Sequence, residues 1–129
     1  MSKYPQFTLS FNIGPTNQER IDAYELYHRA FKAKKLSESK PPDGDDIHIM
    51  MEIYGLEILI CPGKTPGTGF ESTLCCEIRF DQEDDFFQAY QEISKQAQSQ
   101  SMEGPYPWAT RLGLVVDKFG IGWALYYNE

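Results

Sequence analysis

The sequence predicts an α+β fold made of two β-α-β-β-β modules, which form a curved mixed sheet with helices on one face. An alternating, strand-like segment is followed by a helical pattern, and the same order returns in the second half. Three residue pairs lie 66 positions apart: Phe7 and Thr73, Ile21 and Phe87, and Tyr24 and Tyr90. A Pro- and Gly-rich linker at 62–69 joins the halves. We expect one domain over 1–129, with modules at about 5–62 and 70–129.

The first half contains each element of one module in turn. Residues 7–11 alternate apolar and polar side chains, as a half-buried strand does. The run 16–19 matches a capping box, and apolar residues then recur at three- and four-residue steps: Ile21, Tyr24, Tyr27 and Phe31. Residues 47–53 and 56–61 predict two strands with a tight turn between them. A short edge strand near 35–39 is a further candidate.

The second half repeats this order. Residues 73–80 predict a strand, and Asp81 and Asp84 offer N-cap chemistry for the following helix. The expected buried face of that helix comprises Phe86, Tyr90, Ile93 and Ala97. Residues 99–107 are polar and turn-rich, and 111–127 predict a closing hairpin. Its turn begins at Asp117, whose carboxylate can accept from nearby backbone N–H groups, and ends at Gly120.

The closing hairpin also carries the most specific motif: Trp108, followed by Gly113-x-Val115-x-Asp117-x-Phe119-Gly120-x-x-Trp123. This pattern resembles the PhnB-like branch of the vicinal oxygen chelate superfamily, the group of glyoxalase I and bleomycin-resistance proteins. Residues 26–31 resemble the Phe-Tyr-x-x-Ala-Phe helix end of these proteins, and 48–53 loosely resemble their His-Ala-Glu-Leu strand. The resemblance implies a ligand pocket in the concave side of the sheet and a homodimer as the partner arrangement.

The resemblance also raises the question of a metal site. The metal enzymes of the superfamily place His, Gln or Glu on the first and last strands of each half, where a divalent cation polarises substrate oxygens. The matching positions here are Gln6 or Phe7, Glu57 or Leu59, Cys75, and Ala124. At least one ligand is missing, because alanine has no donor atom. We therefore predict a pocket without a metal; if a divalent metal is bound, the candidate ligands are Gln6, Glu57 and His48.

Three residues are candidates for catalysis: His48, Glu52 and Cys75. If even-numbered residues of the 47–53 strand face the cavity, His48 and Glu52 line it, and a His beside a carboxylate could move a proton near neutral pH. The alternative is a solvated His at a strand end. Cys75 and Cys76 must point to opposite faces of a strand. A reactive thiolate needs a cationic neighbour, so the alternative for each is a buried, inert cysteine.

Four residues are predicted to form the ligand pocket: Trp108, Arg111, Trp123 and Met50. Aromatic walls with one guanidinium suit a planar or anionic small molecule. The alternative for both indoles is simple packing of the sheet against a helix or a second protomer.

Composition excludes several classes of partner. The net charge is −7 and the cations are scattered, which argues against nucleic acid binding. No apolar stretch is long enough to span a bilayer, and the first residues lack the apolar core of a signal peptide. The three cysteines form no C-x-x-C pair and leave an odd thiol. A reduced, cytoplasmic location is therefore expected.

The leading hypothesis is a PhnB-like protein of unassigned reaction that binds a small hydrophobic or aromatic molecule in a hydrophobic, metal-free pocket. One alternative is a divalent-metal-dependent lyase or isomerase of the glyoxalase and dioxygenase type. Another is a structural module without a ligand. The sequence does not decide whether the protein is an enzyme.

Overall fold

The computed structural model describes residues 5–64 and 74–129, and the chain divides into two compact units, Met1–Lys64 and Thr65–Glu129. The first unit has strands and a helix in the order β1, α1, β2, β3, β4: Leu9–Asn12, Asn17–Phe31, Lys34–Ser39, His48–Ile53 and Leu56–Cys61. The second has β5, α2, β6, β7, β8: Cys75–Phe80, Glu83–Ile93, Ser99–Glu103, Arg111–Val116 and Gly122–Tyr127. The predicted α+β class and the β-α-β-β-β order of each half are confirmed.

Each unit has one mixed four-stranded sheet, with the orders β1-β4-β3-β2 and β5-β8-β7-β6. In both, the first strand is parallel to the last and the other pairs are antiparallel. The two sheets therefore have the same topology, as a duplicated module requires. Among the described residues, no helix is long and apolar enough to cross a membrane.

Helix α1 follows the local signals in the sequence. Thr16 is its N-cap and accepts a hydrogen bond from the Glu19 backbone N–H at 3.2 Å, while the Thr16 hydroxyl donates to the Glu19 carboxylate at 2.8 Å. The helix ends at Lys32, which has the left-handed conformation (φ 59°) typical of a C-cap. The predicted capping box and the edge strand near 35–39 are confirmed.

Helix α2 begins differently from the prediction. Its N-cap is Gln82, which makes no side-chain cap hydrogen bond, so neither Asp81 nor Asp84 has that role. The acidic residues of the first turn still favour the positive end of the helix dipole. Ala97 lies beyond the helix, because α2 already ends at Ile93. Residues 99–103, expected as turn-rich, form strand β6, which obtains its order from pairing with β7.

The 66-residue offset holds in the helices and at the start of the first strand of each unit, but the predicted strand pair of Phe7 and Thr73 is not confirmed. Three buried positions of α1, Arg20, Ala23 and Tyr27, are followed 66 residues later by Phe86, Ala89 and Ile93, which are also buried. In contrast, Phe7 precedes β1 and is exposed, and Thr73 lies outside the described residues. Four residues separate strand from helix in the first unit and two in the second, because β5 has six residues and β1 has four; the starts of both elements keep the 66-residue offset.

Candidate functional site

The turn of the closing hairpin is organised by Asp117. Its buried carboxylate accepts hydrogen bonds from the backbone N–H groups of Phe119 (2.8 Å) and Ile121 (3.0 Å), and from the indole Nε1 of Trp123 (2.9 Å). Gly120 completes the turn at φ 89°. The predicted role of Asp117 as a turn-former is confirmed. The indole bond adds something that the sequence did not indicate, since it fixes a Trp on the neighbouring strand.

The two faces of the second sheet differ sharply. A Cβ atom at Gly113 would lie 2.7 Å from the Tyr90 ring, so this position of β7 packs directly against α2. Side chains alternate along a strand, and paired residues share a face. The residues that point away from α2 are therefore Cys75, Glu77, Arg79, Ser99, Ser101, Glu103, Leu112, Leu114, Val116, Gly122, Ala124 and Tyr126. We call this the far face of the second sheet.

A groove of about 370 Å³ lies at one end of the far face. The residues that line it are Cys75, Ser99, Gln100, Ser101, Leu114, Val115, Val116, Gly122 and Trp123. Gly122 fits closely at its base, because an added Cβ would lie only 3.2 Å from the carbonyl oxygen of Leu74, the residue before β5. All four strands of the sheet contribute to this lining, so its shape is set by regular structure.

The groove is apolar at its centre and polar along one side. Leu114, Val116 and Gly122 form the central part, while β6 supplies the hydroxyls of Ser99 and Ser101. The Cys75 thiol lies on the opposite side of the groove, on β5. Burial, assisted by the negative charge of Glu77, raises the pKa of this thiol from its ordinary value of 9.0. Cys75 is therefore protonated at neutral pH and is a poor nucleophile.

The second cysteine of the pair lies on the other face of β5. Its pKa is raised to about 11, mainly by burial and further by the charges of Cys75 and Asp117. The predicted opposition of the two side chains agrees with the alternation of burial along β5. Neither thiol has the electropositive surroundings that activate a cysteine.

A polar cluster follows the groove along the far face. The Tyr126 hydroxyl donates a hydrogen bond to Glu77 at 3.0 Å, and the Arg79 guanidinium lies 3.7 Å from the same carboxylate. Arg79 also stacks 4.6 Å above the Tyr126 ring. The hydrogen bond to Glu77 raises the pKa of Tyr126, because it favours the protonated phenol.

The predicted aromatic and guanidinium residues do not meet in one pocket. Trp123 borders the groove, but Trp108 is 60% exposed and stacks on Tyr106 with ring centroids 4.8 Å apart. Arg111 lies on the helix side of β7, paired with Glu83 at 3.3 Å and placed over the Phe87 ring at 5.0 Å. Arg111 therefore cannot be the cation of a ligand site on the far face.

The candidates of the first unit share a face but are spread along it. His48, Met50 and Glu52 are half-buried, and the residues that alternate with them on β3 are fully buried. The predicted alternation is thus correct. His48 and Glu52 are four residues apart, which places their Cα atoms about 13 Å from one another along the strand. This spacing prevents a direct His–carboxylate hydrogen bond, so the structure does not bring the proposed proton-transfer pair together.

The candidate metal ligands also do not converge. Glu57 pairs with Glu52 across the β3–β4 ladder, at the end of the sheet opposite to His48, and Gln6 is exposed and precedes β1. In the described ranges, no three His, Cys, Asp or Glu side chains are close enough to hold a metal ion. On β8, Ala124 supplies no donor. Within residues 5–64 and 74–129, the candidate ligands therefore do not form a divalent-cation site.

Most of the groove was not predicted from the sequence. Ser99, Gln100 and Ser101 were missed because their segment was interpreted as turn-rich. Leu114 and Val116 could have been found from the alternation along the closing hairpin. Nothing in the local sequence of Gly122 distinguishes a groove glycine from a turn glycine. A homodimer and a cytoplasmic location stay predictions.

No protein-family model matches the chain, and no curated protein matches it. Solved structures do match. The PhnB protein from Bacillus cereus superposes with a TM-score of 0.72 at 15% identity, over 95% of this chain and 98% of that one. A glyoxylase/bleomycin resistance protein/dioxygenase domain from Frankia sp. EAN1pec gives 0.65 at 12% identity, over 100% and 99%.

A further solved structure that superposes on this chain is the fosfomycin resistance protein FosX from Listeria monocytogenes, complexed with Mn(II) and sulfate. Its TM-score is 0.66 at 11% identity, over 99% of this chain and 93% of that one. At these identities the similarity concerns the fold and not the chemistry. This chain therefore has the glyoxalase/bleomycin-resistance fold.

Proposed function

We propose that this protein is a PhnB-like small-molecule-binding protein that holds a largely apolar ligand in the groove of the second sheet, without a metal ion. The single observation that carries the proposal is the groove itself. Its volume of about 370 Å³ falls within the range of roughly 300 to 1,000 Å³ that small-molecule sites occupy. An apolar centre with a few polar groups on one side is the usual composition of such a site.

The groove is formed by paired strands and a fixed turn. Strands β7 and β8 each pair with a neighbour on both sides, and their connecting turn is fixed by the buried Asp117 carboxylate. The Trp123 indole, on the α2 side of the sheet, is held by the same carboxylate, which fixes the part of β8 that borders the groove. A site that does not need to be ordered on binding loses less conformational entropy, which favours affinity for small ligands.

Binding is favoured over catalysis by the chemistry of the lining. Among the described residues that line the groove, the only titratable group is the Cys75 thiol, and burial raises its pKa. General acid–base or nucleophilic catalysis needs a group that is matched to neutral pH. The lining offers contact and hydrogen bonding, which suit sequestration of a hydrophobic or aromatic compound.

The cysteines of the chain provide a direct test. Alkylation by iodoacetamide at pH 8 is followed residue by residue by mass spectrometry, with and without naphthol as the probe. Naphthol is expected to slow alkylation of Cys75 several-fold in a saturable manner. Cys61, on β4 of the first unit, is the internal control and should keep its rate. The protection should be the same with EDTA or with added Mn²⁺.

A pair of matched variants completes the test. Leu114→Glu places a carboxylate in the groove and should abolish the protection of Cys75. Leu56→Glu makes the same change at an exposed leucine in the first unit and should leave the protection intact. If naphthol slows alkylation of no cysteine, or slows Cys75 equally in both variants, the groove is not the binding site and the proposal is wrong.

A further inference from the structure

The charge of the groove narrows the class of ligand. Each of the nine described residues that line it is uncharged: four apolar residues, a glycine, two serines, a glutamine and a protonated cysteine. An ionic ligand that is buried without a counter-charge loses its hydration and gains nothing in return. The inference that follows, that the groove prefers uncharged ligands, rests on the proposed binding function.

The described cations of the second sheet are engaged elsewhere. Arg79, on the far face, lies against Glu77 and over the Tyr126 ring. Arg111 points to the helix side, where it pairs with Glu83. The Lys118 ammonium, in the turn between β7 and β8, lies 5.7 Å from the centre of the Phe119 ring. None of the three belongs to the lining.

Carboxylates flank the groove on the same face. Glu77 is the next far-face residue after Cys75 on β5, and Glu103 occupies the corresponding position after Ser101 on β6. Both carboxylates place negative charge beside the groove, and the charge of Glu77 contributes, after burial, to the raised pKa of the Cys75 thiol. This negative charge repels an anionic ligand.

The hydrogen bonding of β6 indicates what the polar edge of a ligand must offer. The Ser101 hydroxyl donates its proton to Glu103 at 3.2 Å, so its remaining capacity is to accept. A ligand O–H or N–H is the complementary group. The apolar centre at Leu114 and Val116 then contacts the body of the ligand.

We infer that the groove selects uncharged molecules with an apolar body and one hydrogen-bond donor, such as phenols and alcohols, and rejects carboxylates, phosphonates and other anions. This differs from the planar or anionic ligand that the sequence suggested through Arg111. The difference arises because the guanidinium lies on the other face of the sheet from the groove.

The test compares two probes of similar shape that differ in charge. At pH 7 naphthol is neutral and naphthoate is an anion. Isothermal titration calorimetry on the full chain should give at least about ten-fold tighter binding of naphthol, because the carboxylate has no counter-charge in the groove. Naphthoate binding within two-fold of naphthol would overturn the inference, while groove binding itself would still stand.

A variant with an added cation tests whether the lack of a counter-charge in the groove is what weakens the binding of anions. Ser101→Arg places a guanidinium beside the groove, on an exposed edge strand where it should not disturb folding. Naphthoate affinity is expected to rise about ten-fold in this variant. Ser37→Arg, the same change on exposed strand β2 of the first unit, is the matched control and should alter neither affinity. No gain for naphthoate in Ser101→Arg contradicts the inference.

The two proposals fail in distinguishable ways. Loss of all probe binding, with no protection of Cys75, means that the groove is not a ligand site and removes both. Equal binding of the neutral and anionic probes, with Cys75 protected by each, removes only the charge selectivity.

Discussion

The two helices occupy equivalent places in their units but are anchored by opposite chemistry. At the first buried position of α1 stands Arg20, which is fully buried and donates to the backbone carbonyl oxygen of Gly14 at 2.7 Å and to the Asn17 side chain at 2.6 Å. It also pairs with Asp46 at 3.4 Å. The same position of α2 is Phe86, which lies in an aromatic cluster with Phe80, Phe87, Tyr90 and Tyr127.

This contrast shows that one topology can be stabilised either by a polar network or by an aromatic core. Arg20 connects the helix to the loop before it and to the loop before β3, because its guanidinium satisfies groups in both. Phe86 fills space without such bonds. The first unit should therefore depend on the hydrogen-bonding capacity of one residue, and the second on its volume.

Replacing each residue by methionine should separate these two modes of anchoring, with the largest effect in the first unit. Arg20→Met removes the guanidinium hydrogen bonds to the Ile13 and Gly14 carbonyl oxygens and to the Asn17 side chain, and should lower the free energy of unfolding by about 3 kcal/mol. Phe86→Met keeps an apolar side chain of similar length and should cost less than about 1.5 kcal/mol. Urea denaturation of both variants gives the measurement.

Equal losses in the two methionine variants would show that Arg20 acts through its volume alone. Hydrogen exchange provides an independent readout. In Arg20→Met, protection should fall in residues 13–17, whose groups the guanidinium binds, and should be unchanged in α2.

The final hairpins of the two units also differ in what stabilises them. The β3–β4 turn consists of two residues, Tyr54 (φ 47°) and Gly55 (φ 90°), and depends on backbone conformation. The β7–β8 turn is longer and depends on the Asp117 carboxylate, which holds two backbone N–H groups and the Trp123 indole. One turn is specified by glycine and the other by a side chain.

Substitution in each turn should therefore give effects of different size. Asp117→Ala leaves three donors without an acceptor and should cost about 2 to 4 kcal/mol. Gly55→Ala places a Cβ in open space at positive φ, so only the backbone cost of about 1 to 2 kcal/mol applies. Thermal unfolding ranks the two variants, and tryptophan emission should shift only in Asp117→Ala. A larger loss in Gly55→Ala would reverse this interpretation.

The smallest expected effect concerns the charge beside Cys75. Glu77 contributes to the raised pKa of the thiol, although burial contributes more. Glu77→Gln removes a negative charge, so the thiolate becomes less unfavourable and the pKa falls. Alkylation of Cys75 at pH 8 should then be about two-fold faster. Its pH–rate profile, followed by mass spectrometry, should shift to lower pH.

Asp85→Asn is the control for this charge effect. Asp85 is exposed in the first turn of α2, on the other side of the sheet from Cys75, and its loss should leave the alkylation profile unchanged. A slower reaction in Glu77→Gln would mean that the carboxylate acts on the thiol in some way other than by its charge.

The elements with strong local signals were predicted well. The capping box at Thr16, the Tyr54–Gly55 turn and the Asp117 turn are each specified by residues within a few positions, so they can be identified without the fold. The start of α2 was missed because two nearby aspartates offered the cap chemistry and the helix used Gln82. Strand β6 was missed because its polar residues obtain their order from β7.

The site was harder to predict than the fold. A site forms where side chains from different strands lie on the same face and at the same end of a sheet. Trp108, Arg111 and Trp123 are close in sequence and chemically suited to a pocket. Arg111 begins β7, four residues before Val115, and its side chain lies on the side of α2, where it pairs with Glu83. Ser99 and Ser101 carry no individual signal, yet the ladder places them on the same face as Leu114 and Val116.

The topology could be predicted from the sequence alone. Hydrophobic periodicity, turn residues and the repeated order of elements are properties of neighbouring residues and do not depend on tertiary structure. The closure of the final turn on Asp117 is local in the same way. The position of the groove and its lack of charge emerge only in the folded protein. Both depend on strand register and on the face that each helix covers, and a shift of one residue would exchange every side chain on that face.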